Sequence, residues 1–263
     1  ESRLHYEDGV YSIDQEDLEE KLADPQTSML ILCNPHNPVG KIWDRETLER
    51  IGELCFKHHV LVLSDEIHCD ITRPGMEYIP FASVSEHCKN NSITCVAPTK
   101  TFNLAGLQTA AVIVPDAALR HRVNRGLNTD EVAEPNVFAA IAPIAAFDRG
   151  REWLEELREY LWENRKFAED FIREEIPELR TVSADATYLL WIDCNALPGD
   201  LSELAEFIRK ESGLYVCDGR EYGNGYGFLR MNLAYRRELL KEGLERLKRS
   251  IHSYRKGISN GII

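Results

Sequence analysis

The stretch Ile93-Thr94-Cys95-Val96-Ala97-Pro98-Thr99-Lys100-Thr101-Phe102-Asn103-Leu104-Ala105-Gly106 decides how this chain is read. A short β-prone run leads into a lysine flanked by small and turn-forming residues. A lysine at the exit of a buried strand is poorly placed for a solvated surface charge. It is well placed for an amine that must be partly desolvated and aimed into a crevice. There the neutral form is the nucleophile, and burial eases loss of the proton.

Two more stretches have the same form. Met29-Leu30-Ile31-Leu32-Cys33 exits into Asn34-Pro35-His36-Asn37-Pro38-Val39-Gly40, and Val60-Leu61-Val62-Leu63 exits into Ser64-Asp65-Glu66-Ile67-His68. Continuous apolar runs of this length, bounded by turn residues and separated by a helical pattern, predict parallel strands covered on both faces. The intervening helix is legible in Asp44 as N-cap and in the spacing of Leu48, Ile51, Leu54 and Cys55. Open α/β sheets bind ligands beyond the carboxyl ends of their strands. Asn37, Asp65 and Lys100 are therefore expected to converge on one crevice. An imine cofactor such as pyridoxal phosphate needs this set: a lysine to hold it, an acid to keep its ring nitrogen protonated, and a donor near its phenolic oxygen.

The segments 34–40, 64–70, 97–106 and 227–234 together resemble the fold-type I pyridoxal-phosphate enzymes of aminotransferase class I/II. Within that family, residues 36–40, 65–68 and 100–108 are most similar to the cystathionine β-lyase-type C–S lyases. The resemblance implies a role for each motif residue. Lys100 would bind the cofactor and move the proton at the substrate α-carbon. Asp65 would pair with the pyridine nitrogen, and Asn37 would donate to the phenolic oxygen. His68 falls where other branches carry a tyrosine directed at the same oxygen. Arg230, in Phe228-Leu229-Arg230-Met231-Asn232, would clamp the substrate α-carboxylate by a two-point ion pair. Some branches grip the cofactor phosphate with a serine and an arginine at positions that are Ala97 and Gln108 here. Thr99, or Thr101 beside it, is left to supply a hydroxyl.

The resemblance further implies an α/β fold: a mostly parallel sheet with helices on both faces, as in the large domain of these enzymes, plus a smaller C-terminal α/β domain. It implies α,β-elimination from a sulfur-bearing amino acid such as cystathionine, releasing a thiol, ammonia and pyruvate. Transamination is the runner-up, and a binding or regulatory role without turnover is the reading of a different class. A homodimer is expected. Family members carry a further stretch before the segment that starts here at Glu1, including the glycine-rich turn that cradles the phosphate at a helix N-terminus. This large domain is accordingly expected to be incomplete, and the chain by itself to hold the cofactor weakly and to be inactive.

Plainer readings stand beside these. Asp65 suits a cap on the turn after its strand, and Asn37-Pro38 suits a turn, the only role read for Asn34. Arg230 suits an exposed strand. His68, Cys69 and Asp70 do not form a metal site, because consecutive residues of an extended chain point to opposite faces.

Composition bounds the rest. A net charge of −13 over 263 residues argues against a nucleic-acid partner, and a 43% hydrophobic content supports a proper core. The basic run at 120–125 reads as a solvated helix face. Seven cysteines without a Cys-x-x-Cys pair point to reduced thiols and a cytoplasmic setting. No apolar run approaches the ~18 residues of a membrane span, and the start lacks a signal-peptide pattern.

The chain is expected to divide near residue 127. Residues 1–127 would belong to the large domain, and residues 128–263 would supply the interdomain helices and the small domain. A strand at 109–114 follows Lys100 too closely for a crossover helix and so should run antiparallel to its predecessor. Helices are expected at 132–147, interrupted by Pro135 and Pro143, and at 151–175, closed by Pro177. The small unit should hold strands at 186–192, 214–216 and 227–232 and helices at 201–210 and 237–251. Gly223, Gly225 and Gly227 precede a strand rather than a helix, which favours a flexible substrate-side loop over a nucleotide motif.

Overall fold

The computed structural model describes residues 1–259; residues 260–263, the end of the second expected unit, lie outside the described residues. Strands β1 (Leu4–Glu7) and β2 (Val10–Ile13) form a hairpin over Asp8 and Gly9, both with positive φ. The Asp14 side chain caps α1 (Gln15–Leu22), which buries Leu18 and Leu22.

The first sheet is then laid down from β3 (Met29–Cys33), α2 (Arg45–Lys57), β4 (Leu61–Asp65), α3 (Glu86–Asn90), β5 (Ser92–Val96), α4 (Pro98–Thr101) and β6 (Ala111–Ile113). Its order is β3-β4-β5-β6. The first three strands are parallel and β6 is antiparallel to β5, as the short connection requires. Asp44 caps α2 by accepting from the Thr47 N–H at 2.7 Å. The helix buries Leu48, Ile51, Leu54 and Cys55 in one cluster with Val60, Val62, Phe81 and Cys88. Each such large aliphatic side chain contributes about 1.5–3 kcal/mol. The other face is more open: Met29 and Ile31 are 45% and 68% exposed, and no described element covers them.

Three helices follow: α5 (Ala117–Thr129), α6 (Phe138–Arg149) and α7 (Arg151–Glu175). The helix expected from 132 starts only at Phe138, beyond Pro135, while Pro143 is accommodated inside it. A second sheet comprises β7 (Arg180–Thr181), β8 (Leu189–Asp193), β9 (Cys217–Asp218) and β10 (Phe228–Asn232), with α8 (Leu204–Ser212) and α9 (Arg237–Ser259) packed against it. Its order is β7-β8-β10-β9, all antiparallel. The strand expected at 214–216 is a correction: the ladder begins at Cys217, because Val216 turns into the core and the first partner, Arg230, stands opposite Cys217. The last helix runs on to Ser259, and the segment from 201 opens as a 3₁₀ turn before α8.

On one face of the second sheet Leu190, Ile192, Leu229 and Met231 join side chains of α7, α8 and α9 in a closed core. On the other, Trp191 and Phe228 stack at 5.2 Å and receive Tyr6, Tyr11 and Val39. The hairpin is fastened there: the Tyr6 hydroxyl donates to Asp193 at 2.8 Å, and the Trp191 indole donates to Tyr11 at 3.2 Å. Gly40 adds a second fastening, since Asp185 and Ala186 both donate to its carbonyl. Its φ is +78° and a Cβ would lie 2.6 Å from the Ala186 carbonyl, so no other residue fits. The loop after β3 is thereby held against the second sheet. No described helix is long and apolar enough to cross a membrane.

Candidate functional site

The loop leaving β3 uses its two asparagines differently. Asn34 is fully buried, its amide donating to the Ile79 carbonyl at 3.3 Å and accepting from the Trp43 N–H at 3.2 Å. Asn37 is only half-buried, and its Oδ1 accepts from Arg230 Nη1 at 3.2 Å. Arg230 stands on β10 opposite Trp191, on the sheet face that the hairpin and this loop cover. Its second terminal nitrogen donates to Cys217 Sγ at 3.4 Å, and its guanidinium lies 4.4 Å from the centre of the Tyr222 ring. Two residues 193 positions apart are thus in direct contact.

Asp65 ends β4, with Cys33 of β3 and Cys95 of β5 beside it in register. Its Oδ1 accepts from the Ile67 N–H at 3.2 Å, so the turn-capping role is present, yet among the described residues it has no ion-pair partner. Burial, and then the Asp65 charge, push the Cys33 thiol up to about 11. Glu66 turns the other way, into the interior. It accepts from the Ser64 hydroxyl at 2.8 Å and the Phe81 N–H at 3.0 Å, and burial raises its pKa. Alternation along the chain separates the two acids.

His68 is 4% exposed and meets Tyr188 edge-on at 5.8 Å. Burial first, then the charges of Lys100 and Arg230, pull its pKa down to about 4, so the imidazole is neutral at neutral pH. Its Nδ1 is buried without a partner among the described residues. Lys100 sits half-buried in α4, which opens with Pro98 at its N-terminus, and has no ion-pair partner among the described residues. The next residue, Thr101, is buried and donates its hydroxyl to Asp70 at 2.8 Å, tying α4 to the segment after β4. Thr99 keeps its hydroxyl outside that bond. Of the two threonines, Thr99 is the freer one.

Asn37, His68, Lys100 and Arg230 therefore share one electrostatic neighbourhood, and Asp65 ends the strand three residues before His68. Sequence pattern alone does not single out Asp70, Tyr188, Cys217 or Tyr222. Of these only Tyr222 carries a local signal, lying beside the glycine-rich loop read as substrate-side. A lysine and an aspartate without ion-pair partners among the described residues, and a buried imidazole nitrogen without a hydrogen bond among them, fit a ligand that brings an aldehyde, a cationic ring nitrogen and oxygen acceptors. No cluster of His, Cys, Asp and Glu able to hold a metal occurs among the described residues.

Residues 3–247 match the family model for aminotransferase class I and II. The chain is 43% identical over 245 residues to cystathionine beta-lyase PatB of Bacillus subtilis (strain 168), covering 93% of this chain and 63% of that protein. It is 33% identical over 240 residues to protein MalY of Escherichia coli (strain K12), covering 90% and 61%. Cystalysin from Treponema denticola, whose crystal structure contains a pyridoxal 5'-phosphate cofactor, superposes with a TM-score of 0.93 at 31% identity. That match covers 96% of this chain and 64% of cystalysin. The chain thus spans less than two thirds of the length of these relatives.

Proposed function

This chain belongs to the aminotransferase class I and II family, and from that premise we propose that the protein is a pyridoxal-phosphate-dependent C–S lyase that eliminates a thiol from a sulfur-bearing amino acid. The observation that carries this reading is the Arg230–Asn37 contact beside Lys100 and His68. It supports the reading because a guanidinium suited to a carboxylate then stands near a lysine that has no ion-pair partner among the described residues.

Lys100 would hold the cofactor through its amine, and Asp65 would keep the ring nitrogen protonated. Asn37 and the neutral His68 would donate to the phenolic oxygen, with the Thr99 hydroxyl toward the phosphate. When bound, pyridoxal phosphate supplies the electron sink that stabilises negative charge at the substrate α-carbon. Arg230 presents a planar fork that a carboxylate can meet with two parallel hydrogen bonds, which orients the amino acid. Lys100, whose amine is the base at hand, would take the proton from the substrate α-carbon. The β-sulfur would then leave as a thiol, and with uptake of one water the remaining three carbons and the amine would leave as pyruvate and ammonia. The same reading treats residues 1–127 as belonging to the cofactor-binding domain and residues 128–263 as interdomain helices and small domain. It seats the protein in the cytoplasm as a homodimer.

Transamination is the second reading, favoured by the family match itself, because both reactions begin with loss of the same proton. Cystathionine supplied to the full-length protein without a keto acid should yield pyruvate. A strict requirement for a keto acid would establish transamination instead, and absence of turnover with any amino acid would leave a binding role. Lys100→Ala should lower the rate about a thousandfold or more and remove the visible absorbance that pyridoxal phosphate gives on binding.

A further inference from the structure

We infer that Tyr222 is a positioning residue for Arg230: its ring, held edge-on by Trp191, is the shelf that sets the guanidinium plane in which a substrate carboxylate is received. The inference rests on the proposed role of Arg230. An arginine side chain has many rotamers, and one that must be ordered by each incoming substrate loses affinity to that ordering. The structure orders it beforehand. Tyr222 lies 4.4 Å under the guanidinium, Trp191 meets Tyr222 at 90° with centroids 5.9 Å apart, and Trp191 itself stacks on Phe228. A column of rings therefore runs from the floor of the second sheet to the arginine.

Among the described residues the guanidinium meets a ring, an amide oxygen and a sulfur. The Tyr222 face supports it from below, while Asn37 Oδ1 and Cys217 Sγ each take one terminal nitrogen. No carboxylate pairs with Arg230 among the described residues. A carboxylate would occupy the fork and cancel its charge. An aromatic face stabilises the cation without doing either. Burial, and the Cys217 side chain beside it, push the Tyr222 phenol up to about 12, so the ring carries no charge of its own at neutral pH.

The loop is built to put the ring there. Tyr222 ends the 3₁₀ turn Gly219–Tyr222, and the chain folds back so closely that a Cβ on Gly219 would lie 2.1 Å from the Gly225 carbonyl. Gly223 then takes φ +77°. That close crossing accounts for Gly219 and Gly225, and positive φ accounts for Gly223 and Gly227.

The test compares Tyr222→Phe and Tyr222→Leu with the parent in the full-length holoenzyme. It reads KM and kcat for cystathionine, together with inhibition constants for glycine and glycinamide. Tyr222→Leu should raise KM and the glycine constant by about threefold to thirtyfold, the range of a cation–π contact, and leave kcat within about twofold and glycinamide unchanged. Tyr222→Phe, which keeps the ring, should restore parental values. If Tyr222→Leu fails to fold, Tyr222→Met supplies bulk without a ring and carries the same expectation. Equal weakening of glycine and glycinamide, or equal harm from Phe and Leu, would overturn the inference. Arg230→Gln separates the two levels. If it weakens glycine while Tyr222→Leu does not, only the shelf is wrong; if Arg230→Gln leaves glycine unaffected, the carboxylate role of Arg230 is wrong as well.

Discussion

The two sheets are made of similar strands and enclosed to very different degrees. In β8, Leu190 and Ile192 on one face and Trp191 on the other are all buried. In β3, Leu32 is buried but its neighbour Ile31, on the opposite face, is mostly exposed. Of the candidate reactive residues, Asp65 ends a strand of the more open sheet and Asn37 and Lys100 follow strands of it, whereas Arg230 lies on the closed one. Arg230 is thus carried by a sheet closed on both faces, whereas Asn37, Asp65 and Lys100 lie at strand ends of a sheet open on one face.

The largest effect that can test this division is at Arg165. It is 1% exposed on α7, donates to the Leu189 carbonyl of β8 at 2.6 Å, and lies 3.5 Å from Glu169. Arg165→Ala should cost about 3–5 kcal/mol in urea unfolding, since it leaves a cavity, a bare strand carbonyl and a half-buried acid. A loss under about 1 kcal/mol would move the stability reservoir elsewhere.

Acid should act on the other half. Burial pulls both His36 and His68 from 6.5 to about 4 in the folded chain, so between those values the unfolded state binds more protons. Their contribution is therefore complete above pH 6.5 and lost as the pH falls toward 4, on the order of 3 kcal/mol per imidazole. Thermal melting across that window should show it, and His68→Asn should remove its share. A flat profile would mean that both rings are open to water.

A smaller effect is expected at the anchor of α4. Thr101→Val deletes the hydroxyl bonded to Asp70 and should cost about 1 kcal/mol in unfolding free energy. Any larger loss of activity would report displacement of Lys100. The smallest is expected at the open face: Ile31→Ser should change stability by no more than about 0.5 kcal/mol. A cost of several kcal/mol would show that this face is covered in solution, and the contrast between the sheets would disappear.

Much of the fold is legible without coordinates. A buried strand needs apolar side chains whatever its neighbours, so the cores of β3, β4, β5, β8 and β10 can be read directly, as can α2 from Asp44 and its spacing. Element ends are less legible, because a strand stops where its ladder partner stops, as at Cys217. The hairpin at the start is marked only by Asp8-Gly9, a two-residue turn signal between two short β-prone runs, and its docking on the second sheet leaves no local trace.

Sequence alone determined the chemical kit: a lysine, an aspartate and an asparagine each at the exit of an apolar strand, because side-chain type and strand periodicity are local properties of the chain. Only the tertiary structure decided that Arg230 reaches Asn37 and rests on Tyr222. The same holds for Thr101 spending its hydroxyl on Asp70, and for the first hairpin closing over the second sheet. Those contacts join positions far apart in the chain, and packing of whole elements, not local preference, determines which distant side chains meet.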